Sequence, residues 1–361
     1  MSERSLSAQS VFAARPTVHV NGNVNPRVAL LLVGMDLVEH EDGLSALELR
    51  LTNVASTQDG DSGFAFEDEA ALKLGDRLTV YAGDEISPRE IFRGVISGFE
   101  ADFPEGSTPL LVALAEDGLQ GARMHRRTKT WDQCTIAQVA RDVAGQLGLT
   151  PRITGLSDNL GTQVQFNESD LAFLRRLLGR HFGDLQVVGT DLQVAPKQEA
   201  QRGTVTLSLH GQLRRARVFA DLSHQVSEVT VTGWDPAQGR RVTGRCRSAA
   251  RGPGAGRTGG ELLQRALHQR PHHLSHLAVT TEDEARSLAE AAFSDRQRRF
   301  VTVHGAADGN PALRVGTHVT LEGLGPRFSN TYYITRCRHR YDLERGYETD
   351  FTAECAFFGN P

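Results

Sequence analysis

A change of hydrophobic period, from two to about 3.6 and back to two, constrains this chain more than any other feature. Residues 16 to 122 read as β. In ALELRLTN (46 to 53), Leu47, Leu49 and Leu51 share one face, and Glu48, Arg50 and Thr52 the other. RLTVYAG (77 to 83) and IFRGVISGFEADF (91 to 103) are further strands, with EGST (105 to 108) as a turn. Short strands with polar breaks predict a barrel or a sandwich.

The helical period begins after residue 123. Thr135 and Gln138 form a capping box, and Ile136, Val139, Ala140, Val143 and Leu147 mark one face, with Gly148 placed to end the helix. A second helix is expected from NESD, capped by Asn167, with Leu171, Leu174, Leu177 and Leu178 as its buried stripe. LQVV-GTD-LQVA (185 to 195) reads as a hairpin. The β pattern returns near 204, and Thr281 with Glu284 opens a third helix at about 281 to 297. The expected fold is therefore β-rich α+β: two β-barrel domains, 1–122 and 204–361, with a small α/β insert, 123–203, between them.

Composition narrows the function. Lys+Arg 40 against Asp+Glu 44 gives a formal charge of -4, which leaves no global bias toward nucleic acid. The Arg/Gly-rich stretch at about 237–260 contains no aromatic residue to stack bases, so it reads as a mobile surface connection. Cys134, Cys246, Cys337 and Cys355 form no CxxC pair and read as reduced thiols. MSERSLSAQS lacks the layout of a signal peptide, and VALLLVGMDLV (28 to 38) is too short to span a membrane. Phosphate-binding loops, GxSxG and HExxH are absent from the sequence. HQRPHHLSH holds His268, His272, His273 and His276 without an acidic or cysteine partner nearby, and reads as a solvated loop rather than a metal site. The acidic run at 67 to 69 reads as a solvated turn. No catalytic, cofactor or metal site is expected.

TYYITRCRHRYD (331 to 342) concentrates arginine, cysteine and histidine. Alternation along a strand puts Arg336, Arg338 and Arg340 on one face and Tyr333, Cys337, His339 and Tyr341 on the other. Paired with YETDFTAECAF about a turn at DLERG, it places Arg340 opposite Glu348 and Arg338 opposite Asp350. Each such charge pair stabilises by roughly 0.2–1 kcal/mol. The same register sets Tyr341 against Tyr347, Cys337 against Phe351, and Cys355 against Tyr333. The cluster is thus read as an ion-paired hairpin, not as a reactive site.

Four stretches carry a family resemblance: FNESDLAFLRRLLGRHFGDLQV (166 to 187), VSEVTVTGWDPAQGRRVTG (226 to 244), the segment 281 to 323, and LGPRFSNTYYITRCRHRYD (324 to 342). With these the chain resembles the phage late control D proteins, the baseplate hubs of contractile tails. It is also similar to the N-terminal hub region of VgrG proteins from type VI secretion and related contractile injection systems. The resemblance implies two β-barrels around an α/β insert, and a homotrimer whose six barrels meet a hexameric tail tube protein. It also implies contacts with a spike protein and other baseplate proteins. Because the sequence stops at ECAFFGNP without a β-helical needle, the spike is expected to be a separate protein. A virion tail or injection-particle location follows, with neither membrane insertion by this chain nor direct nucleic-acid recognition. Trp234, Gly323, Gly325 and Tyr333 would be fold-defining positions: the glycines for turn geometry, Trp234 as a core or interface anchor. The competing expectation is a tail-associated cell-wall-degrading or carbohydrate-binding protein, which needs a carboxylate pair or an aromatic platform in a cleft.

Overall fold

The computed structural model describes residues 15–56, 62–83, 87–249, 252–275 and 277–359. Most strands join one 13-stranded sheet, largely antiparallel. Its path runs from Leu213–Ala220 through Val301–Asp308, Gly346–Cys355 and Asn330–Asp342 to Leu32–His40. It continues through Ala46–Thr52, Leu110–Asp117, Arg89–Asp102 and Arg77–Ala82 to Thr17–Val20 and Asn23–Val24. The path is open, and among the described residues no pairing closes either half on itself.

The two β regions are one sheet because of a single step. Leu32–His40 pairs antiparallel with Asn330–Asp342, setting Val38 opposite Arg338 and Met35 opposite Tyr341. Leu32–His40 is buried along most of its length, as a strand with sheet neighbours on both sides and packing on both faces should be. Of the apolar run at 28 to 38, residues 28–31 end the helix Pro26–Leu31 and residues 32–38 belong to this strand. Among the described residues no helix is long and apolar enough to cross a membrane.

Among the described residues there are four apolar cores. The first, around Leu37, Leu49, Val80 and Ile96, takes in Tyr341 and Tyr347 from the C-terminal hairpin. The third, around Leu213, Val303, Val319 and Tyr332, takes Cys337 and Phe351 from the same hairpin. The hairpin therefore belongs to both β regions. The second core lies in the insert, where Ile136–Leu147 and Asp170–Arg180 pack beside a small sheet of Thr150–Ile153, Asp191–Pro196 and Gly183–Val188. Thr135 and Gln138 form the expected capping box, and Gly148 caps the C-terminus. The second helix is capped two residues later than expected, by Ser169, whose hydroxyl accepts from the Ala172 amide.

The fourth core corrects two sequence expectations. Glu228–Asp235 pairs with Arg240–Cys246 and, in parallel, with Pro271–Leu274, and this sheet packs on the helix Glu282–Arg298. Part of the Arg/Gly stretch is thus a strand. Val242 and Cys246 face in while Arg241 and Arg245 face out, a period of two hidden by glycine at the inward position 244. A Cβ on Gly244 would lie 2.2 Å from the backbone of Ala285, so the helix can approach only because no side chain is there. The histidine segment is likewise a short strand: His273 Nε2 lies 2.9 Å from the Thr232 hydroxyl, and His272 Nε2 lies 2.9 Å from an Arg296 guanidinium nitrogen. His268 caps the helix Gly259–Leu267 with a φ of 66°, and His276 lies outside the described residues.

Candidate functional site

The Arg-rich strand has the expected parity. Tyr333, Cys337, His339 and Tyr341 are buried, whereas Arg336 is exposed and Arg338 and Arg340 are half-buried. Its pairing with Gly346–Cys355 sets Arg338 opposite Asp350, Arg340 opposite Glu348, Cys337 opposite Phe351 and Tyr341 opposite Tyr347. The register slips between Ile334 and Arg336, so Tyr333 meets Glu354 rather than Cys355. A bulge inserts one residue and cannot be read from alternation alone.

The ion pairs depart from the backbone register. Arg340 reaches both Glu348, at 3.3 Å, and Asp350, at 2.8 Å. Arg338 turns from Asp350 to the opposite neighbour and binds Asp36 of the central strand, with Nε 2.8 Å from Oδ1. The hydrogen bonds to Asp36 raise the Arg338 pKa, with burial opposing and the Asp36 charge adding. Arg338 chooses Asp36 because that carboxylate is the more buried one and cannot be left unpaired. Arg214 of the Leu213–Ala220 strand completes this face by binding Asp308, at 2.6 Å, and Glu348.

Beneath it lie two buried charge clusters that the sequence reading did not identify. In the first, Arg314 holds Glu39, with Nε 2.6 Å from Oε1. Burial pushes Glu39 up, but the charge and hydrogen bonds of Arg314 outweigh it, and the carboxyl sits below its ordinary value. Beside them the Cys337 Sγ lies 2.9 Å from the Leu313 carbonyl and 3.5 Å from His339 Nε2. The Tyr347 hydroxyl is 2.8 Å from His339 Nδ1. Burial lowers His339 to about 4 and pushes the Cys337 thiol well up, so neutral imidazole and neutral thiol are favoured.

Donor atoms of Glu39, Cys337 and His339 lie within 4.8 Å of one another, close enough to hold a cation. The fixed charge of Arg314 already occupies the Glu39 carboxylate and would oppose one. The arrangement fits a polar core knot better than a ligand set.

The second cluster joins all three segments of the chain. Glu41, in the turn after the central strand, binds Arg298 of the long helix and Lys197 of the insert, the latter at 3.2 Å. Arg298 also lies 2.9 Å from Glu354. The Tyr333 hydroxyl donates to Asp184 of the insert at 3.1 Å, and Asp184 also binds Arg202. Arg175 of the insert helix donates to the carbonyls of Asp42 and Gly43, both at 2.8 Å. Burial would raise Glu41 and lower Arg298; their mutual attraction wins, lowering the carboxyl and raising the guanidinium. Tyr333 is pushed well up, by burial first and then by Asp184 and Glu41.

The remaining expected positions scatter. Gly323 and Gly325 have φ of 80° and 76°, the left-handed turn geometry expected of them. Trp234, expected as a core or interface anchor, is 56% exposed on the Glu228–Asp235 strand and belongs to no core. The central charges are not marked in the sequence because VEHE (38 to 41) looks like the polar end of a strand; the arginine partners of Glu39 and Glu41 lie more than 250 residues away, and Lys197, the other partner of Glu41, lies in the insert.

An open cleft of about 670 Å³ lies between the insert and the long helix, lined by Asp158, His181, Asp283, Glu284 and Arg286 among others. No aromatic platform lines it.

A family model described as the Alg8 N-terminal domain matches residues 15–342. No curated protein matches. Among solved structures, the fold is similar to that of the 43 kDa tail protein of prophage MuSo2 from Shewanella oneidensis. That likeness has a TM-score of 0.69 at 14% identity, covering 94% of this chain and 97% of the other. The tail protein from Neisseria meningitidis MC58 is similar with a TM-score of 0.65 at 12% identity, covering 95% and 96%. The E. coli c3393 protein, described as a component of the type VI secretion system with structural similarity to T4 tail proteins gp27 and gp5, gives 0.61 at 13% identity, covering 95% and 79%.

Proposed function

This chain belongs to the Alg8 N-terminal domain family, and from that membership and its tail-protein fold we propose that it is a structural hub of a contractile tail or injection machine. Its work is assembly rather than catalysis. The observation that carries this reading is the end-to-end likeness to tail proteins, which spans the insert as well as both β regions. Three domains, 1–122, 123–203 and 204–361, make up the chain, and the two β domains act as barrel-like lobes. Three chains then offer six similar lobes to a hexameric tube, while the opposite side meets a spike. The charge clusters at Glu39 and Glu41 support this role, because they tie lobes and insert into one rigid block that can transmit load. Gly323, Gly325 and Tyr333 serve as fold-defining positions, and the exposed Trp234 as a contact for another protein.

The test is native mass spectrometry of the chain, alone and co-expressed with the tube and spike proteins of its own gene cluster. Three copies bound to both partners are expected. Peptidoglycan cleavage lost on one Asp or Glu substitution would replace this reading with that of a tail-associated hydrolase.

A further inference from the structure

Among the described residues, two stretches of strand edge in the great sheet lack a partner strand and carry opposite charge. The first is Leu213–Ala220, which among the described residues has Val301–Asp308 as its one partner strand, with a single isolated bridge from Leu213 to Leu209 besides. After a bulge at Arg214, the residues Arg215, Arg217 and Phe219 share its outer face and are all exposed, while Ala216 and Val218 pack inward. Arg217 lies over the Phe219 ring, 4.4 Å from its centroid. Neither Arg215 nor Arg217 has a carboxylate partner among the described residues.

The second edge is the far half of Arg89–Asp102. Its near half pairs with Arg77–Ala82 no further than Val95, and backbone bonds to Gly75 and Asp76 end at Ile96. Among the described residues, Gly98 to Asp102 therefore pair with Leu110–Asp117 on one side only. Glu100 and Asp102 stand two residues apart on one face, exposed, and without a cationic partner among the described residues. Phe103 follows, 61% exposed and packed edge-on against Phe64.

Open strand edges invite pairing with another chain, and their charges decide with which. Two basic edges would oppose arginine to arginine, and two acidic edges glutamate to aspartate, so each edge rejects its own kind. A basic edge against an acidic one matches in spacing: Arg215 and Arg217 are separated by the same two-residue step as Glu100 and Asp102. We propose that copies of this chain join head to tail, the Leu213–Ala220 edge of one against the Gly98–Asp102 edge of the next. Such a contact uses two different surfaces, so it closes into a ring when the rotation permits. This rests on the hub reading, in which several copies surround an axis, and it names the surfaces that join them.

The experiment combines cross-linking with charge reversal in the full chain. The four native cysteines are buried, so surface thiols introduced by Arg217→Cys and Glu100→Cys can be joined selectively by a short bifunctional thiol reagent. The double variant should give a covalent ladder that stops at the closed ring, and each single variant should give none. Arg215→Glu with Arg217→Glu should weaken self-association about tenfold or more, and adding Glu100→Arg with Asp102→Arg should restore it. If three copies still assemble with reversed charges and no cross-link forms, the edge pairing is wrong and the hub stands. If the wild-type chain does not self-associate, alone or with its partners, and the double-cysteine variant forms no cross-link, both fall.

Discussion

The charges at the joint between the two β regions and those at the sheet's open edges follow opposite rules. At the joint, Glu39 and Arg298 are buried and Glu41 and Arg314 largely so, and each is held by an opposite charge. At the edges, Arg215, Arg217, Glu100 and Asp102 are in water and have no opposite charge beside them among the described residues. A buried charge must be satisfied where it stands, because leaving it alone costs several kcal/mol. An exposed charge costs little unpaired, and so can be kept for a second molecule. The difference separates what fixes the shape of one chain from what lets chains find each other.

The comparison breaks most visibly at Arg298. Arg298→Met leaves Glu354 without its cation beside Glu41, which keeps only Lys197, and should cost about 3–5 kcal/mol in denaturant unfolding. A loss below about 1 kcal/mol, the range of exposed pairs, would mean that the joint behaves like the surface.

The next effect is a pH dependence. Folded His339 titrates at about 4, against about 6.5 when unfolded. Between these values the unfolded chain binds a proton that the folded chain refuses, so stability falls as pH falls through that window. The full difference is on the order of 3 kcal/mol, and the contribution is complete above pH about 6.5. Asp117, pushed up by burial to about 6, has the opposite sign, since the folded chain holds its proton. His339→Gln should therefore be compared with wild type from pH 7 to 4, where the Asp117 effect cancels. Parallel stability curves would show that His339 titrates normally.

A smaller effect separates the two candidate partners of Arg338. A double-mutant cycle should find about 1 kcal/mol of coupling to Asp36 and less to Asp350. Larger coupling to Asp350 would restore the backbone-register pairing.

Smallest of all, Arg215→Glu with Arg217→Glu should shift the unfolding free energy of the chain by no more than about 0.5 kcal/mol. A larger shift would place these arginines inside the fold's own stabilisation rather than on a free edge.

These contrasts also mark what the sequence discloses. The parity of the C-terminal hairpin was legible, because a period of two leaves only one face for Cys337, His339 and Tyr341. The helix caps at Thr135 and Thr281 were legible because both partners sit three residues apart. The slip at Thr335 was not, since one added residue leaves the pattern on either side intact. The strand Arg240–Cys246 was hidden by glycine at an inward position. The choice of Asp36 by Arg338, and the knots at Glu39 and Glu41, depend on segments far apart in sequence whose meeting no local pattern encodes. The open edges belong to the same class: the residues are visible, but only the strand order reveals that no described strand pairs beside them.

The most direct measurement is electron cryo-microscopy of the chain co-assembled with its tube and spike partners. Three copies in a closed ring between tube and spike, with Leu213–Ala220 of each beside Gly98–Asp102 of the next, is the predicted result. A single copy, or a position outside the tube–spike axis, would contradict it.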